Sequence, residues 1–186
     1  MQNFDFCSPT ELVFGRGVET EIGTRLARRF PGGKVFLVYG GGSIKRTGLY
    51  DRVKQSLLDA GLSVREKGGV HPNPEVGFIR ELIAEAREWR PDVLLAVGGG
   101  SVIDTVKAAS MGIPYDGDVW DFFIGRAVCE KATPISVILT IPAAGSELSM
   151  RVVVTNGEKK LGTASQHIRS FMSLIDPELF FTLPAV

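Results

Sequence analysis

The sequence predicts an α/β protein with a doubly wound parallel sheet, and three observations carry that prediction. Apolar runs recur at residues 34–39 (KVFLVY), 92–97 (DVLLAV) and 135–139 (ISVIL). They are near-continuous rather than alternating, as strands covered on both faces are. Two of the runs lead into the same tetrapeptide, GGGS, and helical periodicity begins directly after it.

The elements follow in order. In MQNFDF, Phe4 and Phe6 alternate with polar residues and predict a half-exposed terminal strand over residues 1–6, an edge placed to pair with another subunit. Residues 19–30 set Ile22, Leu26 and Ala27 on one helical face. After the first buried strand and its glycine loop, a helix is expected over 48–60, with Leu49, Val53 and Leu57 at four-residue spacing and Gly61 as its stop. A short strand is expected at 62–65. HPNP at 71–74 is too proline-rich for regular structure and reads as an ordered turn. Residues 75–89 form the clearest helix, striped by Ile79, Leu82, Ile83 and Ala86. The second buried strand, glycine loop and helix come next. An irregular stretch follows Pro114, then the strand at 135–139, and later strands at 152–155 and 172–175.

A chain of 186 residues suits one sizeable domain, and no low-complexity linker divides it, so a single domain over 1–186 is expected. Formal net charge is zero, 21 basic residues against 21 acidic, which removes the electrostatic case for nucleic acid or an anionic membrane. No apolar run approaches membrane-spanning length. The first residues lack the basic and apolar regions of a signal peptide, and Cys7 and Cys129 read as reduced thiols; a cytoplasmic protein is expected.

In an open α/β sheet, ligands bind beyond the carboxyl ends of the strands. Both GGGS loops fall at that edge, and so does TIPAAGSE after the third buried strand. Glycine lets a ligand approach the backbone, and a helix N-terminus favours an anion, so the chemistry implied is phosphate or pyrophosphate cradling. A tight strand-to-helix turn alone would also select glycine. Three such loops on one edge favour a ligand. Neither GxGxxG nor GxxxxGK[ST] occurs.

The segments YGGGSIKRTGLYDRV, VHPNP, LLAVGGGSVIDTVKA, LTIPAAGSE, VVTNGEKKLG and LIDPELFFTLP, in this order and spacing, resemble the iron-containing (group III) alcohol dehydrogenase family, in its NADP-preferring aldehyde reductase and butanol dehydrogenase branch. The glycerol dehydrogenase and dehydroquinate synthase group is a more distant alternative, opposed by GGGSIK and TLP. The resemblance implies a Rossmann-like dinucleotide-binding domain. It implies that Gly98, Gly99, Gly100 and Ser101 hold the cofactor pyrophosphate and that Asp104 lies near the nicotinamide end; a first-turn carboxylate stabilising its own helix is the other reading of Asp104. Gly40, Gly41, Gly42 and Ser43 would meet the adenosine ribose. Where NAD-using relatives look to carry an acidic residue, this chain has glycine, with Ser43, Lys45 and Arg46 following, a set suited to a 2′-phosphate. NADP(H) is therefore the expected cofactor, with NAD(H) as the alternative. Lys45 and Arg46 also read as solvated loop charges.

By the same resemblance Asn73 lies near the adenosine and ribose, although an Asn between prolines also closes an Asx turn. Thr140, Ser146 and Ser149 match positions on the nicotinamide and phosphate side, Lys160 one near the nicotinamide ribose, and Leu179 an apolar place beside the cofactor. Ala144 stands where the family usually has threonine. Met150 and Arg151 stand where small residues are common, and Arg151 either crowds the site or points outward. Family members are about twice as long and bind Fe2+ or Zn2+ through an Asp and three His of a helical second domain. Those ligands would follow Pro184, so neither a metal ligand nor a catalytic residue is expected within this chain, and His71 and His167 read as surface residues. The resemblance implies hydride transfer between NADP(H) and a small alcohol or aldehyde in a homodimer, with this chain alone inactive. A non-catalytic dinucleotide-binding or oligomerisation module is the alternative reading.

Overall fold

The computed structural model describes Asn3 and residues 8–181. The terminal strand expected over 1–6, apart from Asn3, and Cys7 lie outside the described residues. Among those described, six strands form one parallel sheet: β1 (Glu11–Phe14), β2 (Lys34–Tyr39), β3 (Ser63–Lys67), β4 (Val93–Gly98), β5 (Ile135–Leu139) and β8 (Met172–Ile175), in the order β1-β8-β5-β4-β2-β3. The remaining two, β6 (Arg151–Asn156) and β7 (Lys159–Ala164), pair as an antiparallel hairpin.

The apolar runs become the central strands for the reason their composition suggested. β2 sends Val35, Leu37 and Tyr39 into one core and Phe36 and Val38 into the other, and all five are buried. Helices α1 (Ile22–Arg29) and α3 (Leu49–Asp59) cover the first face through Ile22, Leu26, Leu49, Val53 and Leu57. Helices α4 (Val76–Trp89) and α5 (Gly100–Gly112) cover the second through Ile79, Leu82, Ile103 and Val106. A four-residue helix, α2 (Ser43–Arg46), precedes α3.

Helix and strand boundaries moved where local chemistry intervened. The helix expected over 19–30 splits into a 3-10 turn (Val18–Glu21), entered through Gly17 at φ 68°, and α1. Gly48 at φ 72° opens α3, and Gly61 at φ 74° follows its end. The strand expected at 62–65 runs instead over β3. Two strands had no expectation behind them. β1 is a four-residue edge strand with one buried side chain, Val13, and β7 has no buried residue at all, so neither shows a readable apolar pattern.

Candidate functional site

From β2 the chain crosses to β3 on one side and later returns through α4 to β4 on the other. The carboxyl ends of β2 and β4 therefore flank a topological switch point, where an open sheet leaves a crevice. The two GGGS loops are the two lips of that crevice.

At the second loop, Gly99 carries φ −89° and ψ −168° and α5 begins at Gly100 with no side chain capping it. The N–H groups of Val102 and Ile103 both donate to the Gly99 carbonyl, at 3.0 and 3.1 Å. The first-turn donors of Gly100 and Ser101 are left for solvent or a ligand. Each glycine has its own reason. A Cβ at Gly98 would stand 2.5 Å from Val102 Cγ2, so the fold itself demands glycine there. A Cβ at Gly99 would reach Ile141 Cβ at 3.5 Å, and one at Gly100 would meet nothing within 4 Å. The backbone at Gly100 is thus open to the close approach of a ligand.

The first loop is similarly open. A Cβ at Gly41 would meet nothing within 4 Å, while one at Gly40 would find the Val70 carbonyl at 3.5 Å. Beside it lies a cavity of about 470 Å³, lined by Ser43, Ile44, Thr140, Ile141 and Leu179 among others. Ser43, Thr140 and Leu179, far apart in sequence, thus line one cavity. Arg52 and Glu19 line the same cavity. Glu19 is 2% exposed, and its Oε1 accepts from Arg52 Nε at 3.0 Å. Asp176 helps close that side, accepting from Gly17 N at 2.8 Å and from Glu178 N at 2.8 Å.

Lys45 stands away from this cavity. Its Nζ lies 5.2 Å from the Tyr39 ring centroid and 4.8 Å from that of Tyr50, a cation–π seat. Asn73 and Lys160 meet each other: Lys160 Nζ donates to Asn73 Oδ1 at 2.8 Å, and Asn73 holds φ 59°.

Asp104 has a partner set that neither reading of the sequence anticipated. It lies past the first turn of α5, and its carboxylate reaches across to the β5–β6 connection and to β6 itself. Oδ1 accepts from Ser146 Oγ at 2.6 Å and Oδ2 from Val153 N at 3.0 Å. Burial pushes its carboxyl above the usual carboxylate range, against the pull of Ser146, the Val153 N–H and Lys107.

Lys107 is the residue that sequence reasoning missed. Its side chain is fully buried, and Nζ donates to the Ser146 carbonyl at 2.6 Å, Ser146 Oγ at 3.1 Å, the Ser149 carbonyl at 2.8 Å and the Arg151 carbonyl at 3.0 Å. Burial pushes its ammonium down to about 8; Asp104 and Glu147 resist that fall and Arg169 adds to it. The available signal was a lysine amid the apolar run of α5, three residues after Asp104. Ser149 Oγ accepts from Arg151 N at 2.8 Å, and the Arg151 side chain is exposed, the outward alternative.

A family model described as iron-containing alcohol dehydrogenase matches residues 9–177. The chain belongs to the iron-containing alcohol dehydrogenase family. A probable NADH-dependent butanol dehydrogenase 2 of Bacillus subtilis is 45% identical over 99% of this chain and 47% of its own length. The NADPH-dependent aldehyde reductase YqhD of Escherichia coli is 35% identical over 99% of this chain and 48% of its own. A crystal structure of NADH-dependent butanol dehydrogenase A from Thermotoga maritima superposes with a TM-score of 0.95 at 44% identity, covering 99% of this chain and 46% of that one. The chain thus spans about half the length of the curated relatives it matches.

The family's name implies iron. Among the described residues no three or more His, Cys, Asp or Glu stand together as a metal site, and His71 and His167 are both exposed. These residues do not fit a metal ion. Among the described residues Cys129 is a free thiol, and no helix is long and apolar enough to cross a membrane.

Proposed function

We propose that this chain is the cofactor-binding half of an alcohol dehydrogenase or aldehyde reductase that moves a hydride between NADP(H) and a small alcohol or aldehyde. The observation that carries the proposal is the uncapped N-terminus of α5, opening beside the switch point between β2 and β4. A bound nicotinamide dinucleotide supplies the hydride donor or acceptor. Gly98, Gly99, Gly100 and Ser101 bind its pyrophosphate through backbone N–H groups. Gly40, Gly41, Gly42 and Ser43 meet the adenosine ribose, with Asn73 near the adenosine and ribose and Leu179 an apolar contact beside the cofactor. Thr140, Ser146, Ser149, Lys160 and Asp104 belong to the phosphate, ribose and nicotinamide side, where Asp104 acts by fixing the wall rather than by reaching inward.

The choice of NADP(H) rests on loop chemistry. The residues after β2, GGGS, carry no carboxylate to repel a 2′-phosphate. The names of the relatives divide between NADH and NADPH. Calorimetric titration of the chain with NADPH and NADH tests the reading: tighter NADPH binding is expected, and tighter NADH binding overturns it. With added Fe2+ or Zn2+ the chain is expected not to reduce short aldehydes, since no described cluster holds a metal. Metal-dependent turnover would show that the chain itself carries metal ligands. Homodimerisation belongs to the same reading, supported by the edge strand β1 with Leu12 and Phe14 exposed.

A further inference from the structure

Residues 146–151 stand against α5 at Asp104 and Lys107, about one to two turns in from its open N-terminus, and three of their carbonyls turn toward one point. That point is occupied by Lys107 Nζ, with acceptors from residues 146, 149 and 151 between 2.6 and 3.0 Å away. Backbone carbonyls gathered in this way repel one another unless a cation sits between them. A charged ammonium has three N–H donors for these three carbonyls; a neutral amine has two. The path of the segment therefore depends on the proton that Lys107 carries.

We propose that Lys107 is a positioning residue for the dinucleotide: its buried ammonium shapes residues 146–151 into the wall beside the α5 N-terminus, and cofactor binding is coupled to protonation of Lys107. The proposal rests on the cofactor reading above and adds to it a residue and a proton. Lys107 lies seven residues into α5 from Gly100, about 10 Å along the axis from the phosphate cradle. A pyrophosphate there favours the charged form of Lys107 through a poorly screened path. By reciprocity, the charged form favours the pyrophosphate equally. The charged groups around Lys107 are Asp104 from its own helix, Glu147 from the segment it holds, and Arg169 from the turn packed against α5. The first two favour the ammonium and Arg169 opposes it. Since burial already brings Lys107 down to about 8, the coupling falls in an accessible range. The phosphates of NADPH titrate well below it.

The experiment is calorimetric titration of the chain with NADPH near pH 8, in two buffers of different ionisation enthalpy, for wild type and Lys107→Met. Wild type is expected to take up a fraction of a proton on binding, and its affinity to fall about threefold to tenfold between pH 7 and pH 9.5. Lys107→Met is expected to bind more weakly, without proton uptake and without that pH dependence. A lysine that merely props up the fold would not move the proton count. Should Lys107→Met not fold, the Lys107 Nζ titration followed by NMR in lysine-labelled wild type decides the matter. A midpoint raised by NADPH supports the coupling, and an unchanged midpoint overturns it. Binding with no proton uptake in wild type overturns the role of Lys107 alone. Failure of both NADPH and NADH to bind at any pH overturns the cofactor reading and this inference with it.

Discussion

Lys160 on β7 donates to Asn73 Oδ1 across 2.8 Å, joining the hairpin to the proline turn 87 residues earlier in the chain. Thr155 N reinforces the junction by donating to the Pro74 carbonyl at 2.8 Å. Asn73 holds its side chain in place from a left-handed backbone, φ 59°, which asparagine tolerates better than most residues. Asn73→Ala should therefore lower stability by about 1–2 kcal/mol, and Asn73→Gly by less, because glycine keeps the backbone and loses only the exposed hydrogen bond. Thermal unfolding of the two variants checks the order. Equal losses would mean that the backbone angle is not what the asparagine supplies.

The glycines of the second loop should separate into structural and ligand-facing positions. Gly98→Ala drives a methyl against Val102, whose Cβ would lie 2.8 Å away, and should cost about 1–3 kcal/mol. Val102→Ala in that background should return part of the loss. Gly100→Ala meets nothing and sits in the first turn of a helix, so stability should hold or rise by up to about 1 kcal/mol. NADPH affinity should nevertheless fall. Chemical denaturation and titration, run on both variants, read the two effects apart.

What the sequence made legible was whatever had a period or a punctuation mark. The central strands β2, β4 and β5 are apolar on both faces, and α4 carries an unbroken stripe, so each shows in composition. β1 and β7 expose most of their side chains and left no pattern to read. The loops of the site were legible because glycine at a strand-to-helix junction is a backbone requirement. The partners of Asp104 were not, because Ser146 and Val153 lie 42 and 49 residues away and only the packing of β6 and the connection before it against α5 brings them near. Lys107 was overlooked for the same reason: four oxygens from a distant loop make its burial tolerable, and no local signal announces them.

Cofactor preference should respond to one atom group at the end of β2. A Cβ at Gly40 would make only ordinary contacts, 3.5 Å from the Val70 carbonyl and 3.6 Å from Val102 Cγ2, so Gly40→Asp should leave the fold intact. The new carboxylate should repel a 2′-phosphate and accept from a 2′-hydroxyl. The NADPH-to-NADH affinity ratio should fall by about tenfold or more, roughly 1.4 kcal/mol. An unchanged ratio would place the 2′-substituent away from this loop.

Global stability and the loop clamp should respond to pH with opposite signs. Lys107 titrates at about 8 in the folded chain against an ordinary 10.5, so between those values the unfolded chain binds more protons. Stability from this residue is lowest below pH 8 and climbs toward pH 10.5, by about 3 kcal/mol at most. The difference between wild type and Lys107→Met, measured by denaturant unfolding across that window, isolates the contribution from the other lysines and the tyrosines. A difference that stays constant with pH would mean that the buried ammonium is held near its ordinary value.

Glu19 and Arg52 allow a test of what a buried charge contributes at the cavity wall. The Glu19 carboxylate is almost entirely removed from water; Oε1 accepts from Arg52 at 3.0 Å, and among the described residues Oε2 has no hydrogen-bond donor. Arg52→Met leaves that carboxylate buried without its cation and should cost about 3 kcal/mol. Adding Glu19→Leu removes the stranded charge and an oxygen that was already unpaired, so the double variant should recover most of the loss. The single change Glu19→Leu should cost less than Arg52→Met, because Arg52 is partly exposed and can turn to water. Denaturant unfolding of the three variants gives the coupling directly. If the double variant is no more stable than Arg52→Met, packing by the arginine stem rather than pairing of charges is what Arg52 contributes to this wall.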